Sequence, residues 1–186
     1  MLPFVLALAA GVIGGLITGG TLTALAATRF KAWGLLLAAL VGEAVLGVIP
    51  TWGRPVLAVT ACLAITAWCL ANRSGYGMSR GYELVALGVV LNAIVMALNG
   101  GMPVSRPALA VAGLSRTTNV ARGDLYKHVA MTNHTVLPQL GDVVPLHLAH
   151  TVFSAGDALM LCGIVTLAWA ATREPRSGVQ AAKLAS

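Results

Sequence analysis

Apolar residues fill this chain in long blocks, without the strict alternation of a half-buried strand or the one-sided stripe of a surface helix. Five blocks cover roughly residues 2–18, 33–49, 55–71, 84–98 and 155–171. Each approaches the roughly 20 residues that a helix rising about 1.5 Å per residue needs to cross a hydrocarbon layer of about 30 Å. All are short, which leaves little room for tilt. The pattern predicts an all-α fold: a polytopic membrane helical bundle of about five spans, forming a single domain over residues 1–186. Residues 99–154 are too polar to span but are punctuated by turn and cap residues. They predict an ordered extracytoplasmic segment of short interfacial helices, with residues 172–186 as a cytoplasmic tail.

Composition strengthens this reading. Hydrophobic side chains make up 58% of the 186 residues and charged ones 10%, with a mean hydropathy of +0.84, well outside the averages of soluble domains. The chain is expected to sit in the lipid bilayer of the bacterial cytoplasmic membrane.

A formal charge of +6 would point to nucleic acid in a soluble protein. Here the basic residues flank the blocks and report orientation instead, so no nucleic-acid partner is expected. Arg29 and Lys31 follow the first block, Arg73 and Arg80 lie between the third and fourth, and Arg173, Arg176 and Lys183 follow the last. Excess Lys and Arg mark the cytoplasmic side, which puts the N-terminus outside and the C-terminus inside. The stretch TALAAT near Ala27 has the look of a cleavage site, but no basic segment precedes the first block, so an uncleaved helix is expected. Residues 20–31, GTLTALAATRFK, fit a segment lying along the interface. Cys62, Cys69 and Cys162 all fall inside blocks and read as small hydrophobes rather than disulfide partners.

Polar groups inside the blocks are the first site candidates. Glu43 lies about ten residues into the second block and Asn92 near the middle of the fourth, which ends at Asn99. A carboxylate at that depth must be neutral, partnered or turned toward an interior cavity, so Glu43 and Asn92 are expected to pack together. Gly11, Gly15 and Gly19, spaced by four, line one face of the first helix. That face suits close packing within the chain or contact with a second copy or a protein partner.

The polar segment supplies the rest. Ser105 is placed to cap a short helix ending near Gly113, and Asp124 to cap another containing Leu125, Tyr126 and Val129. The stretch SAGD at 154–157 fits a capping box at the start of the last block, with Asp157 also meeting the positive end of the helix dipole. Asp142, after Gly141, reads as a turn or cap before Pro145. All four histidines, His128, His134, His147 and His150, lie in this segment. His147 and His150 stand three apart, a spacing that puts both on one helix face, and with His134 they are weak metal candidates. The stretch HLAH lacks the intervening Glu of zinc proteases, and Pro145 disfavours a regular helix there. No Gly-rich phosphate loop, Gly-x-Ser-x-Gly elbow or Cys-x-x-Cys pair occurs, and the sequence names no cofactor.

NGGMPVS at 99–105, YKHVAMTNHTVLPQLGDVVPL at 126–146 and FSAGD at 153–157 together resemble the pattern of the domain of unknown function 5317 family, small bacterial integral membrane proteins. The resemblance extends over nearly the whole chain. It implies a compact multi-span membrane protein and supplies no activity. Residues matching the pattern are Asn99, Met102, Pro103, Leu140, Gly141, Asp142, Pro145, Ser154, Gly156 and Asp157. The chain departs from it between Pro145 and Thr151, where His147 and His150 replace a Pro-rich link.

Three functional expectations follow. The first is a non-catalytic binding or accessory subunit whose external polar cap, built around Asn99, Asp142 and Asp157, docks a partner or lipid headgroup, with Glu43, Asn92 and His128 as further binding candidates. The second is a proton- or ion-coupled transporter or channel component using Glu43. The third is a membrane enzyme binding metal through its histidines and Asp142.

Overall fold

Each apolar block folds as a helix. The computed structural model describes residues 2–74, 78–114 and 127–173. Within them lie seven helices: α1 (Leu2–Ile17), α2 (Leu22–Ala27), α3 (Trp33–Val45), α4 (Arg54–Asn72), α5 (Ser79–Asn99), α6 (Arg106–Val111) and α7 (Ala155–Ala171). Pro55 enters α4 in its first turn, where its missing N–H costs nothing. Gly100 ends α5 in the left-handed region at φ 70°, returning its N–H to the Met96 carbonyl. Among the described residues, the helical stretches Thr51–Asn72 and Ser79–Asn99 are long and apolar enough to cross a membrane, whereas α1, α3 and α7 are apolar but shorter.

The five large helices pack side by side in the order α3, α4, α5, α7, α1. Helix α5 is the most enclosed, burying ten residues that include Tyr82, Asn92 and Met96. Glycines make the central seam. Gly81 and Gly88 on α5 stand seven apart, as do Gly156 and Gly163 on α7. The helices run antiparallel, so that Gly81 meets Gly163 and Gly88 meets Gly156. A Cβ at Gly163 would stand 2.8 Å from the Gly81 carbonyl oxygen, and one at Gly156 would stand 2.5 Å from that of Gly88. Only glycine permits so close an approach of backbones. On the other face of α7, Gly11 and Gly15 of α1 seat Ala168 and Thr172, while Gly19 has no atom within 4 Å of a would-be Cβ. The first two glycines of the expected stripe are thus used within the chain.

One end of the helix array carries a cap that is not all helical. The Ser105 hydroxyl accepts from the Ala108 N–H and starts α6, as expected. Val129, however, lies in a strand rather than in a helix capped by Asp124, and Asp124, Leu125 and Tyr126 fall outside the described residues. Strand β1 (Met102–Val104) pairs in parallel with β2 (His128–Ala130), and β3 (Val144–Leu146) pairs antiparallel with β4 (Thr151–Phe153). A bridge from Val104 to Asp142 occupies the other edge of β1, which leaves β1 buried throughout. Runs of three residues such as MPV and HVA are too short to show period-two alternation, which hides these strands in the sequence. Met102 packs with Leu46, Ala58, Val95 and Met96, tying the cap to the array.

Candidate functional site

The cap is latched to the helices by the polar residues that the sequence singles out. At the start of α7 the capping box is complete: Ser154 Oγ accepts from the Asp157 N–H at 3.0 Å, and Asp157 Oδ2 accepts from the Ser154 N–H at 3.1 Å. The box extends across the seam to α5. Ser154 Oγ donates to Asn92 Oδ1 at 2.9 Å, and Asn92 Nδ2 donates to Asp157 Oδ1 at 2.9 Å. Gly156 lets this happen, because a Cβ there would collide with Asn92 Oδ1. Asn92 is 7% exposed and Ser154 1%, so the four bonds form in a site where an unpaired group would be costly.

A second latch closes the end of α5. Asn99 Nδ2 donates to the Val136 carbonyl at 3.0 Å, while its Oδ1 accepts from the Val136 N–H at 2.8 Å. One side-chain amide thereby satisfies both backbone groups of a loop residue 37 positions away.

Asp142 belongs to neither a turn nor a helix cap, contrary to its expected role. Its N–H donates to the Pro103 carbonyl at 2.8 Å and its carbonyl accepts from the Ser105 N–H at 3.0 Å, so the backbone continues the sheet beside β1. The preceding Gly141 is required by packing, since a Cβ would stand 2.5 Å from the Pro103 carbonyl oxygen and 2.6 Å from Met131 Cε. The carboxylate is carried inward: the residue is 5% exposed. Oδ2 lies 3.4 Å from His128 Nε2, and the buried Oδ1 has no hydrogen-bond partner. Burial pushes this carboxyl above the usual carboxylate range. The hydrogen bond and charge of His128 oppose that push, and Asp157 adds to it from further away.

Glu43 does not meet Asn92. Lys127, beside His128, grips it instead, with Nζ 2.8 Å from Oε2 and 3.0 Å from Oε1. Both side chains keep about a third of their surface, 32% and 37%. Helix α3 lies at the edge of the array and α5 at its centre, so α4 intervenes between the two residues that the sequence suggests as partners. The Glu43–Lys127 pair became visible only once the cap had folded down on α3. A basic residue 84 positions away carries no local signal.

The histidines do not gather. His147 and His150 bracket a tight turn with ring centroids 5.8 Å apart, and His150 Nδ1 lies 3.3 Å from the Ala112 carbonyl. His134 is exposed. Among the described residues, no three of His, Cys, Asp or Glu converge as a metal ion would require. Chemically, the assembled site offers one buried carboxylate oxygen in search of a donor, an imidazole beside it and a half-exposed ion pair.

Over 88 residues, 45% of this chain, the sequence is 35% identical to an uncharacterized protein of Thermotoga maritima. The match takes in 48% of that relative, so the chain spans about half the length of the curated relative it matches. No solved structure matches. Residues 27–169, from the end of α2 to the last turn of α7 and therefore including every latch described above, match the family of unknown function designated DUF5317, and the chain belongs to that family.

Proposed function

We propose that this protein is a non-catalytic accessory subunit of the bacterial cytoplasmic membrane, in which five helical spans carry an external cap that docks a partner protein. The membrane reading is supported by where apolar surface lies. A long apolar helix in a soluble protein fills the core, yet only 22% of the apolar window in Thr51–Asn72 is buried within the chain. Val56, Leu63 and Leu70 face outward, as do Leu6 and Ile13 on α1 and Leu37 and Leu40 on α3. Lipid is the solvent that such surfaces suit. Orientation is read from charge: Arg29, Lys31, Arg73, Arg80 and Arg173 fall at the end away from the cap, against Arg54, Arg106 and Lys127 at the cap end, and the excess in the short connections favours a cytoplasmic basic end and an external cap. Residues 1–186 would then act as one membrane domain.

The observation that carries the docking role is the outer edge of the cap. Val144 and Leu146 on β3 are 52% and 41% exposed, and Leu148 in the following turn is 95% exposed. Exposed apolar side chains on a latched cap suit recognition of a partner, because a surface already held in place lowers the entropy cost of binding. Glu43, Asn92, Asn99 and Asp157 support that surface by holding the cap still; His128 and Asp142 lie inside the cap. Native mass spectrometry of the protein drawn from its own membrane in mild detergent tests this. The parent is expected to retain a stoichiometric partner that Leu148→Asp loses; a chain that carries nothing in both forms contradicts it.

A proton-coupled reading draws on a different residue from the one first suspected. Glu43 is engaged by Lys127, whereas Asp142 has a raised affinity for protons and an imidazole neighbour. The glycine seam closes the α5–α7 interface to a path, and we rank this reading second.

A further inference from the structure

At the end of the array opposite the cap, a cavity of about 620 Å³ opens between α2, the connection into α3, and the ends of α4, α5 and α7. Its lining includes Arg29, Lys31 and Arg173, together with Asn72, Tyr82 and Ala170, and among the described residues no carboxylate. We propose that this cavity binds an anionic phosphate group, supplied by a phospholipid headgroup or by free phosphate. The site is separate from the cap and does not depend on what the cap binds.

Three observations carry the assignment. First, among the described residues none of these cations is paired with an acid: the two acid–base pairs there are Lys127–Glu43 and His128–Asp142, neither of which touches this cavity. Like charges share one concave wall, which focuses a positive potential into it. Second, the basic loop is held in place. Asn72, itself 7% exposed, accepts from the Lys31 N–H at 2.7 Å and donates to the Lys31 carbonyl at 3.0 Å. The loop then leaves through Ala32, whose φ of 53° is left-handed without glycine. A buried amide committed to both backbone groups of Lys31 fixes the loop against the end of α4. Arg173 is likewise anchored, its guanidinium donating to Thr18 Oγ1 at 2.7 Å and stacking 3.8 Å over the Trp169 ring. Third, the size fits a ligand larger than a single water or small ion, within the usual range of about 300–1,000 Å³. Ala24, Ala27 and Ala171 add apolar surface to the lining, which suits the carbon skeleton of a lipid beside its phosphate.

The test uses full-length protein in a neutral maltoside detergent, with native mass spectrometry and thermal unfolding as readouts. Probes are a short-chain phosphatidylglycerol, the matching phosphatidylcholine, and inorganic phosphate. Phosphatidylglycerol is expected to bind one per chain and raise the melting temperature at concentrations at least tenfold below phosphatidylcholine. Arg29→Gln with Lys31→Gln, two exposed side chains whose loss leaves the Asn72 clamp intact, is expected to weaken that binding at least tenfold. The unliganded melting temperature of the double variant reports whether it folds. Saturation by inorganic phosphate alone, abolished in the same variant, would support the site and assign it to the free anion. Equal binding of the two lipids, or phosphatidylglycerol binding unchanged in a folded double variant, would overturn it.

Discussion

Gly156→Ala places a methyl group at the crossing of α5 and α7, where the added carbon collides with Asn92 Oδ1 and stands 2.5 Å from the Gly88 carbonyl oxygen. Neither neighbour is the free end of a flexible side chain: one is backbone, and the other is held by Ser154 and Asp157. Overpacking of this kind costs about 1–3 kcal/mol. Displacing Asn92 also leaves buried groups unpaired, for about 1–3 kcal/mol more. The helix propensity of alanine returns about 1 kcal/mol. A net loss of about 3 kcal/mol corresponds to a fall of roughly 6–12 °C in melting temperature for a chain of this size. Thermal unfolding in detergent micelles, followed by tryptophan fluorescence, reads it. Gly14→Ala is the control, because its nearest neighbour, Trp169 Cδ1, is 3.9 Å away; it should melt with the parent or slightly above. If both variants melt together with the parent, the glycine seam and the latch across it are wrong.

Ser154→Ala removes the cap of α7 and the donor to Asn92 together, and is expected to cost about 2 kcal/mol in the same assay. Glu43→Gln breaks an ion pair that keeps about a third of its surface, so the expected loss is about 1 kcal/mol or less and shrinks further in high salt. Asp142→Asn should change the pH dependence of stability. Because burial raises the folded carboxyl above its unfolded value of 3.8, its contribution is present below that pH and is lost as pH rises through the raised value. Parent stability should therefore decline relative to Asp142→Asn across that window, and melting curves that stay parallel would contradict the burial of the charge. His128→Gln removes a group that favours the carboxylate, and should move the window to higher pH.

The sequence was most legible where a feature is local. The five helices follow the apolar blocks closely, and the box at 154–157 was readable from four residues because a capping box is closed by neighbours in the chain. Asn92 and Glu43 were recognisable as interior polar groups but not as to partner, since choosing one requires the order of helices in the array. The β1–β2 and β3–β4 pairs have strands of three residues, below the length at which periodicity separates strand from loop. Asp142 looked like a turn residue because Gly-Asp before a proline usually is one; the sheet contact with Pro103 that carries it inside is a tertiary event. The seam of Gly81 against Gly163 and Gly88 against Gly156 had a visible signal in its equal seven-residue spacings, but Gly81 lies ahead of the apolar block at 84–98 and the denser stripe in α1 overshadowed it.

The central claim is a lipid-embedded array with its cap outside and its basic end inside. Impermeant maleimide labelling of intact cells tests this most directly, using a variant in which the native cysteines are replaced and one new cysteine stands at an exposed position. Asn133→Cys, in the cap, is expected to label in intact cells, and Ser74→Cys, at the opposite end, only after the cells are opened. Labelling of Ser74→Cys but not Asn133→Cys in intact cells would invert the orientation, and recovery of the protein in the soluble fraction would contradict the membrane reading itself.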